Sequence, residues 1–139
     1  MKTKALILVL FLSGCIGFAV NENIIGNYYW VATDVGDNLA LSYHEAADGD
    51  NYSFIISPTV FAIGYNEKYI IAKQHPRSFS DAPDKNITNY YVLPLKEGID
   101  WKTKNGLIGP LTLKEFHDER NKQSIPDELV FSKIKKGQE

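Results

Sequence analysis

The stretch that most constrains the fold is residues 53–73, where β-branched and aromatic side chains are densest in the chain. Such residues favour a pleated, buried surface. Two runs within it, residues 60–65 and 68–73, flank the polar pair Asn66-Glu67, and this spacing predicts a β-hairpin. The hairpin supplies a core but carries no group that indicates an activity.

The faces of this hairpin follow from its turn. A two-residue loop at Asn66-Glu67 places Ile63 opposite Ile70, and Phe61 opposite Ala72, on one face of the ribbon. We therefore expect Phe61 and Ile70 to lie in the core.

Short β-prone runs separated by Gly, Asn and Asp turns precede the hairpin, and a further run covers residues 90–95. Strands at this spacing predict an antiparallel meander. Pro94 indicates that the run at 90–95 is an edge strand, because proline has no N–H for a second neighbour. Alternating side chains over residues 129–134 predict a last strand.

One helix is predicted near the C-terminus. Thr112 and Glu115 have the spacing of a capping box, which begins a helix over residues 113–122. We expect Leu113 and Phe116 on its buried face and an Asp118–Lys122 ion pair on its exposed face. The sequence thus predicts an α+β fold, mainly an antiparallel β-meander or small sandwich with one short C-terminal helix packed on it.

Charge and cysteine content exclude several classes of protein. The formal net charge is −2, and it falls to −4 without Lys2 and Lys4 of the leader. Non-specific nucleic-acid binding needs a basic face, so we expect no nucleic-acid partner. Cys15 is the only cysteine, so the chain cannot form an internal disulfide or a cluster of cysteine ligands.

The first 14 residues have the order of a secretory signal, with a basic start and an apolar run over residues 5–12. That run is far shorter than the roughly 20 apolar residues of a transmembrane helix. It ends in Leu12-Ser13-Gly14-Cys15, which resembles the lipobox of bacterial lipoproteins. The resemblance implies that the Cys15 thiol receives a diacylglyceryl group and that a peptidase then cuts before it.

This resemblance defines the expected organisation of the chain. Residues 1–14 are the signal peptide, 15–26 the lipidated cysteine and tether, 27–134 one β-rich globular domain, and 135–139 a polar tail. The expected location is the bacterial cell membrane or outer membrane, with the domain facing away from the cytoplasm. The membrane, through the lipid anchor, and an unknown envelope protein are the expected partners.

The body also resembles a family of small uncharacterised bacterial lipoproteins that share a domain of unknown function. The residues that carry this resemblance are 60–65, 69–76, and Gly109-Pro110-Leu111-Thr112 with Phe116. The resemblance implies anchoring and a β-rich fold and brings no known activity.

Residues 74–88 interrupt the pattern of strands with two prolines and no periodicity, and this length is unusual for a structureless loop in a compact domain. Loops of this kind often carry binding residues. The candidate partner-contact residues on this loop are His75, Arg77, Asp81, Asp84 and Lys85.

No catalytic motif is present in the sequence, and the three histidines, His44, His75 and His117, stand in separate segments. Residues 48–51 only faintly resemble a calcium loop and have the ordinary composition of a turn. We expect neither a metal nor a cofactor, and no enzymatic activity.

Three functions remain open at this point. The first is a lipid-anchored interaction or structural module of the bacterial envelope, which the lipobox and the missing catalytic motifs favour. The second is a lipocalin-like carrier of a small ligand, suggested by Gly26-Asn27-Tyr28, which faintly resembles the Gly-x-Trp of lipocalins. The third is a hydrolase with dispersed catalytic residues.

Overall fold

A computed structural model of the chain describes residues 19–33, 38–78, 81–96 and 106–137, and the predicted signal peptide and Cys15 lie outside these residues. The first half forms a four-stranded antiparallel sheet in the order β1-β2-β3-β4. Its strands are β1 (Val20–Ile25), β2 (Tyr28–Ala32), β3 (Ala40–Tyr43) and β4 (Ser53–Ile56).

The second half forms a five-stranded antiparallel sheet in the order β8-β7-β6-β5-β9. Its strands are β5 (Val60–Tyr65), β6 (Tyr69–Gln74), β7 (Asn89–Pro94), β8 (Ile108–Leu111) and β9 (Lys133–Ile134), and the helix α1 spans Leu113–Lys122. The helix contacts β7 and β8. Two antiparallel sheets with one short helix confirm the predicted α+β, mainly β fold.

The predicted hairpin is present, but its register differs from the prediction. Tyr65, rather than Ile63, lies opposite Ile70, and Ile63 lies opposite Ala72. The turn is centred one residue later than predicted, because Asn66 closes the loop instead of forming part of it. Its backbone N–H donates to the Tyr69 carbonyl at 3.0 Å, and its side-chain oxygen accepts from the backbone N–H of Lys68 at 2.9 Å.

A β-bulge at Phe61 also contradicts the predicted pairing of this residue with Ala72. Val60 pairs with Gln74 and Ala62 pairs with Lys73, so Phe61 is the extra residue of β5. Val60 consequently joins the core between the sheets, whereas Phe61 stacks on the ring of His75. Phe61 and Ile70 are both buried, as predicted.

The main core lies between the two sheets. It contains Trp30 and Leu41 from the first sheet and Ile63, Ile70 and Leu93 from the second. The Trp30 indole N–H donates to the Val60 carbonyl at 3.1 Å, which links the two sheets through a buried hydrogen bond. The strands form two separate sheets, whereas the barrel of a lipocalin is one sheet closed on itself.

Residues 20–25 form β1 and pair with β2, although the prediction placed them in the tether. The sequence did not predict this strand, because three of its six residues, Asn21, Glu22 and Asn23, are polar. Glu22 lies on the same face as Val20 and Ile24, where its carboxylate forms an ion pair with Lys133 of β9. The folded domain therefore includes residues that the sequence analysis assigned to the tether.

A second core lies between the five-stranded sheet and the C-terminal segment. Phe116 of α1 packs there with Ile71, Val92, Ile125 and Leu129. The predicted capping box is confirmed: the Glu115 N–H donates to the Thr112 hydroxyl oxygen, and the Thr112 N–H donates to the Glu115 carboxylate at 2.8 Å.

Two details of the helix prediction are wrong. Leu113 is 51% exposed, so Phe116 is the buried residue of the described helix. Asp118 pairs with Lys114, four residues before it, rather than with Lys122. Lys122 instead lies 3.4 Å from the Glu119 carboxylate.

The edge and the end of the second sheet also differ from the predictions. β7 lies between β6 and β8, so it is not an edge strand. Pro94 is tolerated because it is the last residue of β7, beyond the pairs that β8 makes at Tyr90 and Val92. The predicted last strand is reduced to the two residues of β9.

Candidate functional site

The candidate contact loop joins β6 to β7, and His75 lies at its first position. His75 is 2% exposed, and its ring stacks on Phe61 at a centroid distance of 4.2 Å. Its Nδ1 lies 2.8 Å from the Ile87 carbonyl oxygen, so Nδ1 carries a hydrogen and donates it. The side chain of His75 therefore lies inside the domain, where it joins the two ends of the loop.

Three hydrogen bonds fold the described part of the loop back on itself. The backbone N–H of Asp84 donates to the Pro76 carbonyl at 2.9 Å, and the N–H of Ile87 donates to the Asp84 carbonyl at 3.2 Å. The Asp84 side chain accepts from the N–H of Asn86 at 3.0 Å. Asp84 thus shapes the loop in addition to carrying a charge, while its side chain stays exposed.

Two basic side chains join the loop to the rest of the domain. Arg77 Nη1 donates to the side-chain oxygen of Asn38 at 2.8 Å, and Lys85 Nζ donates to the Gly137 carbonyl at 2.7 Å. Both residues are exposed. Exposed charged hydrogen bonds contribute little stability, so these side chains can exchange their partners at small cost.

The structure brings three of the predicted contact residues together. Arg77, Asp81 and Asp84 line an open depression of about 460 Å³ on the outside of the loop. Its other lining residues are Pro76, Ser78, Ala82 and Ile87. One guanidinium and two carboxylates can bind charged or hydrogen-bonding groups of a partner, whereas an open surface is poorly suited to enclosing a small ligand. Lys85 points to the C-terminal segment instead.

A buried polar network under the loop was missed by the sequence analysis. The Tyr91 hydroxyl donates to the side-chain oxygen of Gln74 at 2.8 Å, and the Gln74 amide donates to the Ser57 carbonyl at 2.9 Å. Burial raises the pKa of the Tyr91 phenol above its ordinary value, so the phenol stays protonated and donates. The network joins the last residue of β6 to β7 and to the connection between β4 and β5, next to the start of the loop.

The other two histidines lie in different surroundings. His44 stacks on Tyr52 at 4.5 Å, and its Nδ1 bonds to the Asn51 carbonyl at 2.9 Å. His117 is an exposed residue of α1. Across residues 19–33, 38–78, 81–96 and 106–137, no three His, Cys, Asp or Glu residues form a group that could hold a metal ion.

An aromatic cluster on the four-stranded sheet was also missed. Tyr29 contacts Tyr52 edge to face at 5.4 Å, next to the stacked pair of His44 and Tyr52. The alternation of side chains along β2 could have predicted this cluster. Trp30 points into the core, so its neighbour Tyr29 must point outwards.

Gly26-Asn27-Tyr28, the segment compared with the Gly-x-Trp of lipocalins, lies where β1 turns into β2. Gly26 is in the turn between β1 and β2 with φ of 54°, and Tyr28 begins the second strand. The glycine is therefore explained by its positive φ.

The predicted lipidation site, Cys15, lies outside the described residues, and β1 begins five positions after it. Within the described ranges, no helix has the length and apolar character needed to cross a bilayer.

Comparison with known proteins identifies one family. A family described as "Protein of unknown function (DUF3997)" matches residues 25–135 of the chain. No curated protein and no solved structure matches it.

Proposed function

Since the chain belongs to the DUF3997 family, whose function is unknown, we propose a function from its own residues. The protein is a lipid-anchored module of the bacterial envelope, without enzymatic activity, and it binds an envelope protein through the loop between β6 and β7. The observation that carries the proposal is the order of a basic start, an apolar run and Leu12-Ser13-Gly14-Cys15.

The energetics of the proposed anchor support stable attachment. Each CH₂ group buried in a bilayer contributes about 0.8 kcal/mol, and two or more acyl chains hold a protein stably where one chain does not. With the diacylglyceryl group on Cys15, the domain is carried at the membrane surface. We propose the cell membrane or the outer membrane as its location, facing away from the cytoplasm.

The proposed contact site rests on the geometry of the loop. Arg77, Asp81 and Asp84 surround one depression, and all three are exposed. The hydrogen bond between His75 and the Ile87 carbonyl joins the two ends of the loop, and the bond from Gln74 to the Ser57 carbonyl joins the end of β6 to the connection between β4 and β5. A charged surface on a fixed base loses little conformational entropy when a partner binds, which favours a binding role.

Replacing Cys15 with Ser tests the anchor. We expect Cys15→Ser to abolish labelling by a clickable palmitate analogue and to leave the precursor uncleaved, because serine has no thiol to form the thioether. The matched control is Ser13→Ala, which keeps a small residue before the cleavage site and should be labelled and processed normally. Normal labelling and processing of Cys15→Ser would show that the lipobox assignment is wrong.

Crosslinking in intact membranes tests the contact loop. A photo-reactive amino acid at the exposed Ala82 should capture one envelope protein, and Arg77→Glu with Asp81→Lys should weaken that capture roughly tenfold, since interface charges are matched to a partner. Lys114→Glu with Asp118→Lys reverses an exposed pair on α1 and is the matched control. Equal capture by the two double variants would rule out the loop as the contact site.

A further inference from the structure

One face of the domain surrounds the N-terminal end of β1, where the chain leaves for Cys15. We call it the basal face. Val20, Glu22, Ile134, Lys135 and Lys136 are among the residues that line an open depression of about 330 Å³ on it. Ile134 of β9 is 46% exposed on this face.

The length of the chain between Cys15 and Val20 limits how far the basal face can lie from a bilayer that holds Cys15. Five residue steps separate Cys15 from Val20, and even a fully extended chain spans at most about 17 Å over that distance. A domain of this size is roughly 35 Å across. Once Cys15 is held at a bilayer, the domain therefore cannot turn the basal face to its far side.

The charge of the basal face matches an anionic surface. Lys135 and Lys136 line it, and Lys85 bonds to the carbonyl of the next residue, Gly137. The carboxylate of Glu22 is paired with Lys133, which reduces its repulsion of an anionic surface. Lysines near anionic lipid headgroups are attracted to them over about one Debye length.

We propose that the basal face lies against the anionic headgroups of the membrane that holds the anchor, with Ile134 at the headgroup level. This inference rests on the proposed lipidation of Cys15 and adds a fixed orientation to it. Since Lys85 of the contact loop bonds to Gly137, the residue after Lys136 of the basal face, a partner at that loop lies close to the bilayer.

Single labelling sites can measure this orientation. Lipidation blocks the Cys15 thiol, and Cys15 is the only cysteine, so an introduced cysteine gives one site for a fluorophore. Ile134→Cys places it on the basal face. Lys68→Cys, at the tip of the hairpin, is the control. Phe61, near the start of β5, accepts a hydrogen bond from the Lys135 N–H at 2.8 Å, so the basal face lies at that end of the strand. The hairpin tip lies at the opposite end.

The lipidated full-length protein is placed in vesicles of phosphatidylglycerol and phosphatidylethanolamine, and acrylamide, an uncharged quencher, quenches the label from solution. We expect the label at position 134 to lose most of its quenching on vesicles, and the label at 68 to keep it. The intact mass separates the two possible failures. A chain without the mass of the acyl groups contradicts the anchor, whereas a lipidated chain with equal quenching at both positions overturns the orientation.

Changes in salt concentration and substitutions of the lysines test whether the basal face is attracted to the lipid by charge. Raising the salt concentration should restore quenching at position 134, since it shortens the range of the attraction. Lys135→Gln with Lys136→Gln should do the same, whereas Lys114→Gln with Lys122→Gln on α1 should not. Protection of position 134 that persists at high salt, or on neutral vesicles, overturns the anionic-lipid assignment. Protection that appears only at high protein density indicates a second copy on this face and overturns the proposal.

Discussion

At the scale of single residues, Gly64 shows how closely the C-terminal segment crosses β5. A Cβ at Gly64 would lie 2.1 Å from the carbonyl oxygen of Val130, which is a backbone atom. Two hydrogen bonds hold the crossing in place, from the Ser132 N–H to the Ile63 carbonyl and from the Lys135 N–H to the Phe61 carbonyl. The glycine is required by this close approach.

Replacing Gly64 with Ala should therefore destabilise the domain. We expect a loss of about 1–3 kcal/mol in the free energy of unfolding, because the added methyl forces the crossing segment away from β5. Thermal and urea unfolding measure the change. Ser132→Ala is the matched control, since it alters an exposed residue of the same segment and keeps its backbone bond. A Gly64→Ala protein as stable as the control would contradict the close crossing.

At the scale of elements, α1 begins at a capping box and contacts the sheet through one buried residue, Phe116. The bonds from Thr112 to the Glu115 carboxylate lower the pKa of Glu115 below its ordinary 4.5. Stability from the ionised cap is therefore present above that value and lost as the pH falls through the lowered pKa. The contact of the helix with the sheet depends on Phe116, which stacks on Tyr90 at 5.0 Å.

Two alanine substitutions on the same helix separate its anchor from its exposed face. Phe116→Ala should cost about 3–5 kcal/mol, because it removes a large side chain from the second core. Leu113→Ala should change stability by less than about 0.5 kcal/mol, since Leu113 is 51% exposed. Equal losses in thermal unfolding would mean that both residues are buried, as the helical spacing alone predicts.

At the scale of the whole molecule, the two sheets share one core and are joined where β4 leads into β5. The Val60 N–H donates to the Leu39 carbonyl at 2.8 Å, and the Val60 carbonyl accepts from the Trp30 indole. The basal face lies toward this end of β5, since Leu39 and Lys135 both line it and bond to Val60 and Phe61. The hairpin tip at Lys68 lies at the other end, which makes it the natural reference point for every test of orientation.

The candidate site was predictable only in part. The long loop and its charged residues followed from two prolines and the lack of periodicity. The convergence of Arg77, Asp81 and Asp84 on one depression depended on the bond from the Asp84 N–H to the Pro76 carbonyl. The burial of His75 could not be predicted, because it depends on the bulge that turns Phe61 towards it.

The sequence by itself determined the features that depend on local spacing. The hairpin, the shared face of Ile63 and Ile70, and the capping box at Thr112 each involve residues within a few positions of one another. The tertiary structure decided the register at Asn66, the interior position of β7, the ion pair of Glu22 with Lys133, and the need for glycine at position 64. Each of these features depends on a strand partner or contact that is distant in the sequence, or on a register shift of one residue. A local periodic pattern contains no information about distant partners or about register.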